Sequence, residues 1–217
     1  MNNNKKEIVS GIVLLSVFCF MLLALRIHIS GSYNFIFLIW NWFLAVIPLI
    51  LSLMISSLNN KKSINVLSFI ILGIVWLLFF PNAPYLITDI MHLKERAIIP
   101  MWYDTLMLFS FAFTGLISGM VSLFYVHQHF IKYCGNKLSW FFICIVSILS
   151  SYGIYLGRFL RWNSWDILTN TGLLFNDVFL NLFRAKAILV TAVFTSFMIA
   201  SYFILYVLLN KKESIKF

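Results

Sequence analysis

Residues 8–25 read IVSGIVLLSVFCFMLLAL, an uninterrupted run without any charged side chain. At about 1.5 Å rise per residue, a helix of this length crosses the ~30 Å hydrocarbon core of a bilayer. A second run, FFICIVSILSS at residues 141–151, is equally continuous. Neither run alternates apolar and polar residues, as a transmembrane β-strand does. Because a backbone in lipid must satisfy its hydrogen bonds internally, these runs predict membrane-spanning α-helices.

Six uncharged runs of this kind divide the chain. They cover residues 8–25, 27–60, 63–88, 105–131, 138–157 and 187–210. Apolar residues make up 62% of the sequence and charged residues only 11%, whereas soluble domains average about 25% charged. The first run follows Lys5 and Lys6 but is too long for a secretory signal. The sequence therefore predicts an all-α, polytopic membrane helix bundle of about six transmembrane helices, folded as a single domain over residues 1–217.

The charge distribution predicts an orientation for this bundle. With six spans the two termini share one side, which holds nine lysines and two acids. The other side holds seven basic and five acidic residues, among them all five arginines. The lysine side carries Lys5, Lys6, Lys61, Lys62, Lys132, Lys137, Lys211, Lys212 and Lys216, and the other side carries Arg26, Lys94, Arg96, Arg158, Arg161, Arg184 and Lys186. The positive-inside rule then predicts cytoplasmic termini, and it accounts for much of the net charge of +9 without a nucleic-acid partner.

The connection between spans five and six has the pattern of an amphipathic helix. Its polar residues step by four, seven, four and three, which places them on one stripe: Asp166, Asn170, Asp177, Asn181 and Arg184. Apolar residues occupy the other side, so residues 166–184 predict a helix lying at the outer interface. Gly172 weakens its middle and allows two shorter pieces.

Small residues on spans four and five predict close helix packing. Span four carries Ser110, Thr114, Ser118 and Ser122 at every fourth position, together with Gly115 and Gly119. Span five carries Gly153 and Gly157. In lipid, such residues let helices approach closely, and packing is their ordinary role.

The end of span three, FFPNAPYLITDIMHL at residues 79–93, contains the first candidate site motif. Pro81 and Pro84 should kink or stop the helix, with Asn82 capping a new short helix. In that helix Asp89 and His92 are three residues apart and share a face. A carboxylate beside an imidazole can fix its tautomer or supply metal ligands.

Two further motifs lie on the same predicted side. Tyr103 and Asp104 open span four, where an acid also suits a helix N-terminus. At residues 157–166, GRFLRWNSWD places Arg158 and Arg161 on one face, with Trp165 in stacking range of Arg161 and with Ser164 and Asp166 as caps. Paired guanidinium groups suit a phosphate or a carboxylate, such as a lipid headgroup.

At FPNAPYLITDIMHL, the following WYD and GRFLRWNSWD, the chain resembles the domain of unknown function thirteen sixty-one, a family of multispanning bacterial membrane proteins. The resemblance extends over most of the chain. It implies a bacterial cytoplasmic membrane protein, and it brings no known activity, substrate or cofactor.

Three functions are compatible with these motifs. The first is an enzyme acting on a lipid or lipid-linked substrate at the extracytoplasmic face. In that enzyme Asp89, His92 and Asp104 are the catalytic candidates, and the substrate-binding candidates are Asn82, Tyr85, Tyr103, Arg158, Arg161, Trp165 and Asp166. A metal site made of these three catalytic candidates is an alternative reading of the same motif, and no metal is assigned. The second is a noncatalytic subunit that docks a partner protein. The third, a transporter, is disfavoured because the span centres hold no charged residue.

Overall fold

A computed structural model describes residues 3–58, 66–95 and 98–214, so Lys61, Lys62, Arg96 and Lys216 of the charge argument lie outside the described residues. In chain order the α-helices are α1 Asn3–Ser30, α2 Phe37–Leu58, α3 Val66–Phe79, α4 Asn82–Tyr85, α5 Met101–Phe159, α6 Asp166–Thr169, α7 Thr171–Asn181 and α8 Ala185–Ser214. A 3-10 helix, Leu86–His92, follows α4 directly. No strand occurs among the described residues, so the predicted all-α class is confirmed.

Five helical segments are long and apolar enough to cross a membrane, and the longest of them accounts for two of the six predicted runs. Helix α5 is interrupted at Gly135, whose φ of 77° and ψ of 170° are not helical. The two arms, residues 101–134 and 136–159, fold back on one another. The stacked rings of Phe130 and Phe142, with centroids 3.9 Å apart, show this contact between the arms. The left-handed φ favours glycine at this turn. Helix α5 therefore begins and ends at the same end of the bundle.

The two prolines bend the chain after α3, but the role predicted for Asn82 is wrong. Pro81, not Asn82, occupies the N-cap position of α4, and it provides no side-chain cap. The amide of Asn82 instead donates to the carbonyl of Phe79 (2.9 Å) and to Ser164 Oγ (3.1 Å). Ser164 Oγ donates in turn to the carbonyl of Leu78 (3.2 Å). Side chains thus satisfy carbonyls that the bend removes from the helical ladder, as a kink within a span requires.

The bent segment is held between the two arms of α5 by glycines. A Cβ atom at Gly115 would lie 2.7 Å from the carbonyl oxygen of Ala83, and one at Gly119 would lie 2.8 Å from the Ala83 Cβ. On the other arm, a Cβ at Gly153 would lie 3.1 Å from Pro81 Cγ. The small residues predicted to mediate packing therefore do so here, where they let α4 approach both arms.

We expect Gly115→Ala to destabilise the protein by about 1–3 kcal/mol, because the new methyl group meets a backbone carbonyl that cannot move aside cheaply. Gly73→Ala is the matched control, since a Cβ there meets nothing within 4 Å. The free energy of unfolding, measured in detergent by circular dichroism, should fall for Gly115→Ala and stay constant or rise slightly for Gly73→Ala. Equal values for the two variants would contradict the packing described above.

The connection predicted as an interfacial helix forms two pieces, α6 and α7, which are separated at Asn170 and not at Gly172. Asp166 Oδ1 accepts hydrogen bonds from Thr169 and Asn170, and this local bonding competes with continuation of the helix. Three residues of the polar stripe face the protein: Asp166 and Asn181 are buried, and Asp177 accepts from the Trp162 indole (3.0 Å). The other two, Asn170 and Arg184, are exposed. Helix α7 ends at Asn181, so Arg184 lies beyond it. The outward side exposes a row of large apolar residues, namely Leu168, Leu173, Phe179, Leu180 and Phe183.

Candidate functional site

Arg158, in the last turn of α5, connects its own motif, GRFLRWNSWD, with the first site motif at residues 79–93. Its Nε donates to Thr88 Oγ1 (2.7 Å), its Nη1 is 3.0 Å from His92 Nε2, and its Nη2 forms an ion pair with Asp89 Oδ1. The plane of its guanidinium lies over the Tyr85 ring, 4.5 Å from the centroid. These five residues, together with Asn41, are called the Arg158 network below. They confirm that the motifs around residues 85–92 and 158 meet in space.

The contact with Arg158 assigns the tautomer of His92. Arginine donates hydrogen bonds and does not accept them, so Nε2 accepts and the imidazole N–H lies at Nδ1. The ring of His92 packs beside Phe37 with centroids 4.9 Å apart, and its side chain is exposed. The exposed Nδ1–H is the group that His92 offers to a ligand.

Asp89 does not orient His92, contrary to the interpretation of their spacing. No hydrogen bond joins the two side chains within the described part of the chain. Asp89 is 1% exposed, and its Oδ1 bonds to Arg158 while its Oδ2 accepts from Asn41 Nδ2 (2.8 Å). Both carboxylate oxygens are thus occupied by protein donors. This arrangement makes Asp89 a counter-ion that holds Arg158 in place.

Asp104 and Tyr103 do not join the Arg158 network. Asp104 Oδ1 accepts from Arg26 Nε (2.8 Å), and both side chains of this pair are 1% exposed. Tyr103 donates to the carbonyl of Leu22 (2.8 Å), so it ties α5 to α1. Among the described residues, no three His, Cys, Asp or Glu side chains are grouped to hold a metal. The three catalytic candidates therefore belong to two separate clusters.

The candidate residues of the GRFLRWNSWD motif likewise do not lie together. Helix α5 ends at Phe159, and Arg161 has a φ of 63°, so the two arginines do not share a helical face. Arg161 is exposed and forms no hydrogen bond with any described residue. Trp165 packs against Trp40, with centroids 6.0 Å apart, and not against Arg161. The expected arginine pair does not form.

Asp166 organises the loop that joins α5 to α6. Its Oδ2 accepts from the backbone N–H of Asn163 (2.7 Å), and the side chains of Asn170, Asn163 and Thr169 also donate to the carboxylate. These bonds, led by that of the Asn163 backbone, hold the pKa of Asp166 below its usual value. Asp166 is therefore fully explained as a structural residue of the loop.

A cavity of about 430 Å³ lies beside the Arg158 network, between α2, α3, α7 and the second arm of α5. Most of its wall is apolar, and its polar groups belong to Trp40, Asn41, Asn82, Tyr85, Trp162, Asn163 and Ser164. Asn41 and Tyr85 belong to both the wall and the Arg158 network. The candidate residues Asp89, His92, Arg158 and Arg161 do not line this cavity.

The model of a family described as protein of unknown function, DUF1361, matches residues 40–201. The chain belongs to this family. Comparison with curated proteins and with solved structures gives no match. The DUF1361 segment contains the whole Arg158 network and the whole lining of the cavity.

Sequence reasoning missed the partners of two candidate residues, namely Asn41 and Arg26. Asn41 bonds to Asp89 across 48 positions of sequence and has no local signal beyond being an amide within an apolar run. Arg26, which lies before the DUF1361 segment, did have a signal. It is the single charged residue between positions 8 and 60. A lone charge in a long apolar stretch requires a buried partner, and Asp104 is that partner.

Proposed function

We propose that this DUF1361 protein binds a lipid or a lipid-linked molecule, with an acyl chain held in the cavity beside the Arg158 network. The composition of the cavity wall carries the proposal. Leucine, isoleucine, valine and phenylalanine supply ten of its twenty lining residues, and seven others carry amide, hydroxyl or indole groups. A cavity with this lining suits an apolar chain with a small polar group at one end.

The polar lining is concentrated towards one end of the cavity. Asn82 lies eight positions along the chain from the lining residue Ile74, and Gly157 lies eight positions from Leu149. Eight residues of helix extend about 12 Å. The amides and Ser164 lie with Asn82 and Gly157 near the helix ends, whereas Ile74 and Leu149 lie deeper in their helices. This polarity matches a lipid whose headgroup stays near the end of the bundle.

Action on the bound molecule is the finer part of the proposal. Of the three catalytic candidates, Asp89 and Asp104 are engaged in ion pairs, so proton transfer would depend on His92. Its exposed Nδ1–H could donate to a leaving group, and release from Arg158 would free Nε2 as a base. On the proposed orientation, with cytoplasmic termini in a bacterial cytoplasmic membrane, this end is extracytoplasmic. A noncatalytic subunit that binds lipid and docks a partner protein is the alternative.

We expect Leu149→Trp to abolish lipid retention by filling the apolar end of the cavity. Purified protein is stripped of lipid in detergent, exposed to dioleoylglycerol and examined by native mass spectrometry. Binding should weaken at least tenfold in this variant. Ile148→Trp is the matched control, because Ile148 is 49% exposed and Leu149 is 50% exposed, yet only Leu149 lines the cavity. Unchanged binding by Leu149→Trp, or equal loss in both variants, would overturn the proposal.

The same protein samples distinguish an enzyme that acts on its lipid from a noncatalytic subunit that only binds it. If the protein acts on its lipid, a lipid extract of whole membranes incubated with it should contain a new product that is absent with His92→Gln. Retention of unchanged lipid by both proteins would favour the noncatalytic subunit.

A further inference from the structure

Three asparagines in the cavity wall direct their N–H groups into the protein. Asn41 Nδ2 donates to the Asp89 carboxylate (2.8 Å), Asn82 Nδ2 to the carbonyl of Phe79 (2.9 Å), and Asn163 Nδ2 to the Asp166 carboxylate (3.3 Å). Carboxylates and carbonyls accept hydrogen bonds and cannot donate them. The partners therefore determine which way each amide is oriented, so the assignment of oxygen and nitrogen is not arbitrary.

The carbonyl oxygens of the same three amides remain open. None of them accepts a hydrogen bond from a described residue. The oxygens of Asn41 and Asn82 are not among the buried polar atoms that lack a partner, and Asn163 is an exposed residue. Each oxygen is thus accessible on a residue that lines the cavity. An accessible acceptor of this kind is complementary to a hydroxyl or an N–H of a ligand.

The absence of charged residues from the lining restricts the class of ligand headgroup further. The lining contains no Asp, Glu, Lys or Arg side chain. A phosphate would find no cation in this wall, and an ammonium would find no carboxylate, although burial of either charge requires a partner. The guanidinium of Arg158, in the network beside the cavity, already uses Nε, Nη1 and Nη2 within the protein.

We propose that the cavity selects an uncharged lipid headgroup that donates hydrogen bonds, such as a free hydroxyl of a glycerol or a sugar, to the oxygens of Asn41, Asn82 and Asn163. This inference rests on the proposed function and names the class of lipid. It replaces the anionic headgroup that a pair of arginines would have bound. The acyl chain occupies the apolar end and the hydroxyl reaches the amide oxygens.

The test compares three ligands with identical acyl chains. Dioleoylglycerol carries a free hydroxyl, 1,2-dioleoyl-3-acetylglycerol has that hydroxyl capped, and dioleoyl phosphatidic acid carries a charge. We expect dioleoylglycerol to bind about threefold to tenfold tighter than the capped lipid, which is the effect of one or two net hydrogen bonds. Phosphatidic acid should bind no better than the capped lipid. Free glycerol at the same concentration should not compete, because it lacks the acyl chain.

A pair of asparagine variants tests whether the preference for the lipid with a free hydroxyl arises in the cavity. Asn163→Ala removes one open oxygen and retains the backbone bond from Asn163 to Asp166. Asn170→Ala is the control, since Asn170 also donates to Asp166 but does not line the cavity. Only Asn163→Ala should reduce the ratio between free and capped lipid. Equal binding of all three lipids, or strongest binding of phosphatidic acid, overturns this inference and leaves lipid binding intact. Failure of every lipid to bind overturns the proposed function as well.

Discussion

Replacing Arg26 by alanine is expected to lower the free energy of unfolding by about 3–5 kcal/mol, because the buried Asp104 carboxylate would lose its ion pair with Arg26. Both side chains are 1% exposed and are joined at 2.8 Å. The guanidinium also lies against the Phe35 ring, 4.4 Å from its centroid, so packing is lost together with charge. Denaturant unfolding in detergent, followed by circular dichroism, measures the effect.

The double variant Arg26→Met, Asp104→Leu should recover most of this loss, since a buried ion pair can often be exchanged for apolar residues at little cost. Asp104→Leu alone should be nearly as harmful as Arg26→Ala, because it leaves the arginine unpaired. Arg161→Ala is the control for removing a cation and should change stability by no more than about 0.5 kcal/mol. If the double variant were as unstable as the sum of the single variants, the pair would not act as a unit.

Helices and the bend after α3 could be predicted from local sequence, because both depend on neighbours in the chain. Continuous apolar runs determine the spans, and Pro81 and Pro84 remove backbone donors wherever they occur. The turn at Gly135 was not predicted as such, although the charges at Lys132 and Lys137 separated the two runs that it joins. Helix positions therefore followed from composition and periodicity.

The candidate site was only partly predictable, because its partners are chosen by tertiary packing. The three-residue spacing of Asp89 and His92 indicated a shared face, yet each side chain bonds to Arg158, which is 69 and 66 positions away. Helical counting also placed Arg158 and Arg161 together, but the helix ends between them. Local spacing gives possible neighbours, and competing long-range partners decide which contacts form.

Arg158→Lys is expected to destabilise the protein by about 1.5–3 kcal/mol, the range for loss of hydrogen bonds that involve a charged group. One ammonium can pair with Asp89, but it cannot also reach Thr88 and His92 in the planar geometry of a guanidinium. The stacking on Tyr85 is lost as well. Had Arg158 merely extended towards the membrane surface, lysine would replace it without loss.

Arg158→Ala should be more damaging, at about 3–5 kcal/mol, because Asp89 is 1% exposed and would retain Asn41 as its single hydrogen-bonding partner among the described residues. A double-mutant cycle with Asp89→Asn gives the coupling energy between the two side chains, and Arg161→Lys supplies the control for exchanging an exposed arginine. Strong coupling together with a damaging Arg158→Lys would identify the network as a rigid support for Asn41 and Tyr85, which line the cavity. Full stability of Arg158→Lys would show instead that the guanidinium is free to leave its partners, and a mobile Arg158 would then be available to an anionic ligand.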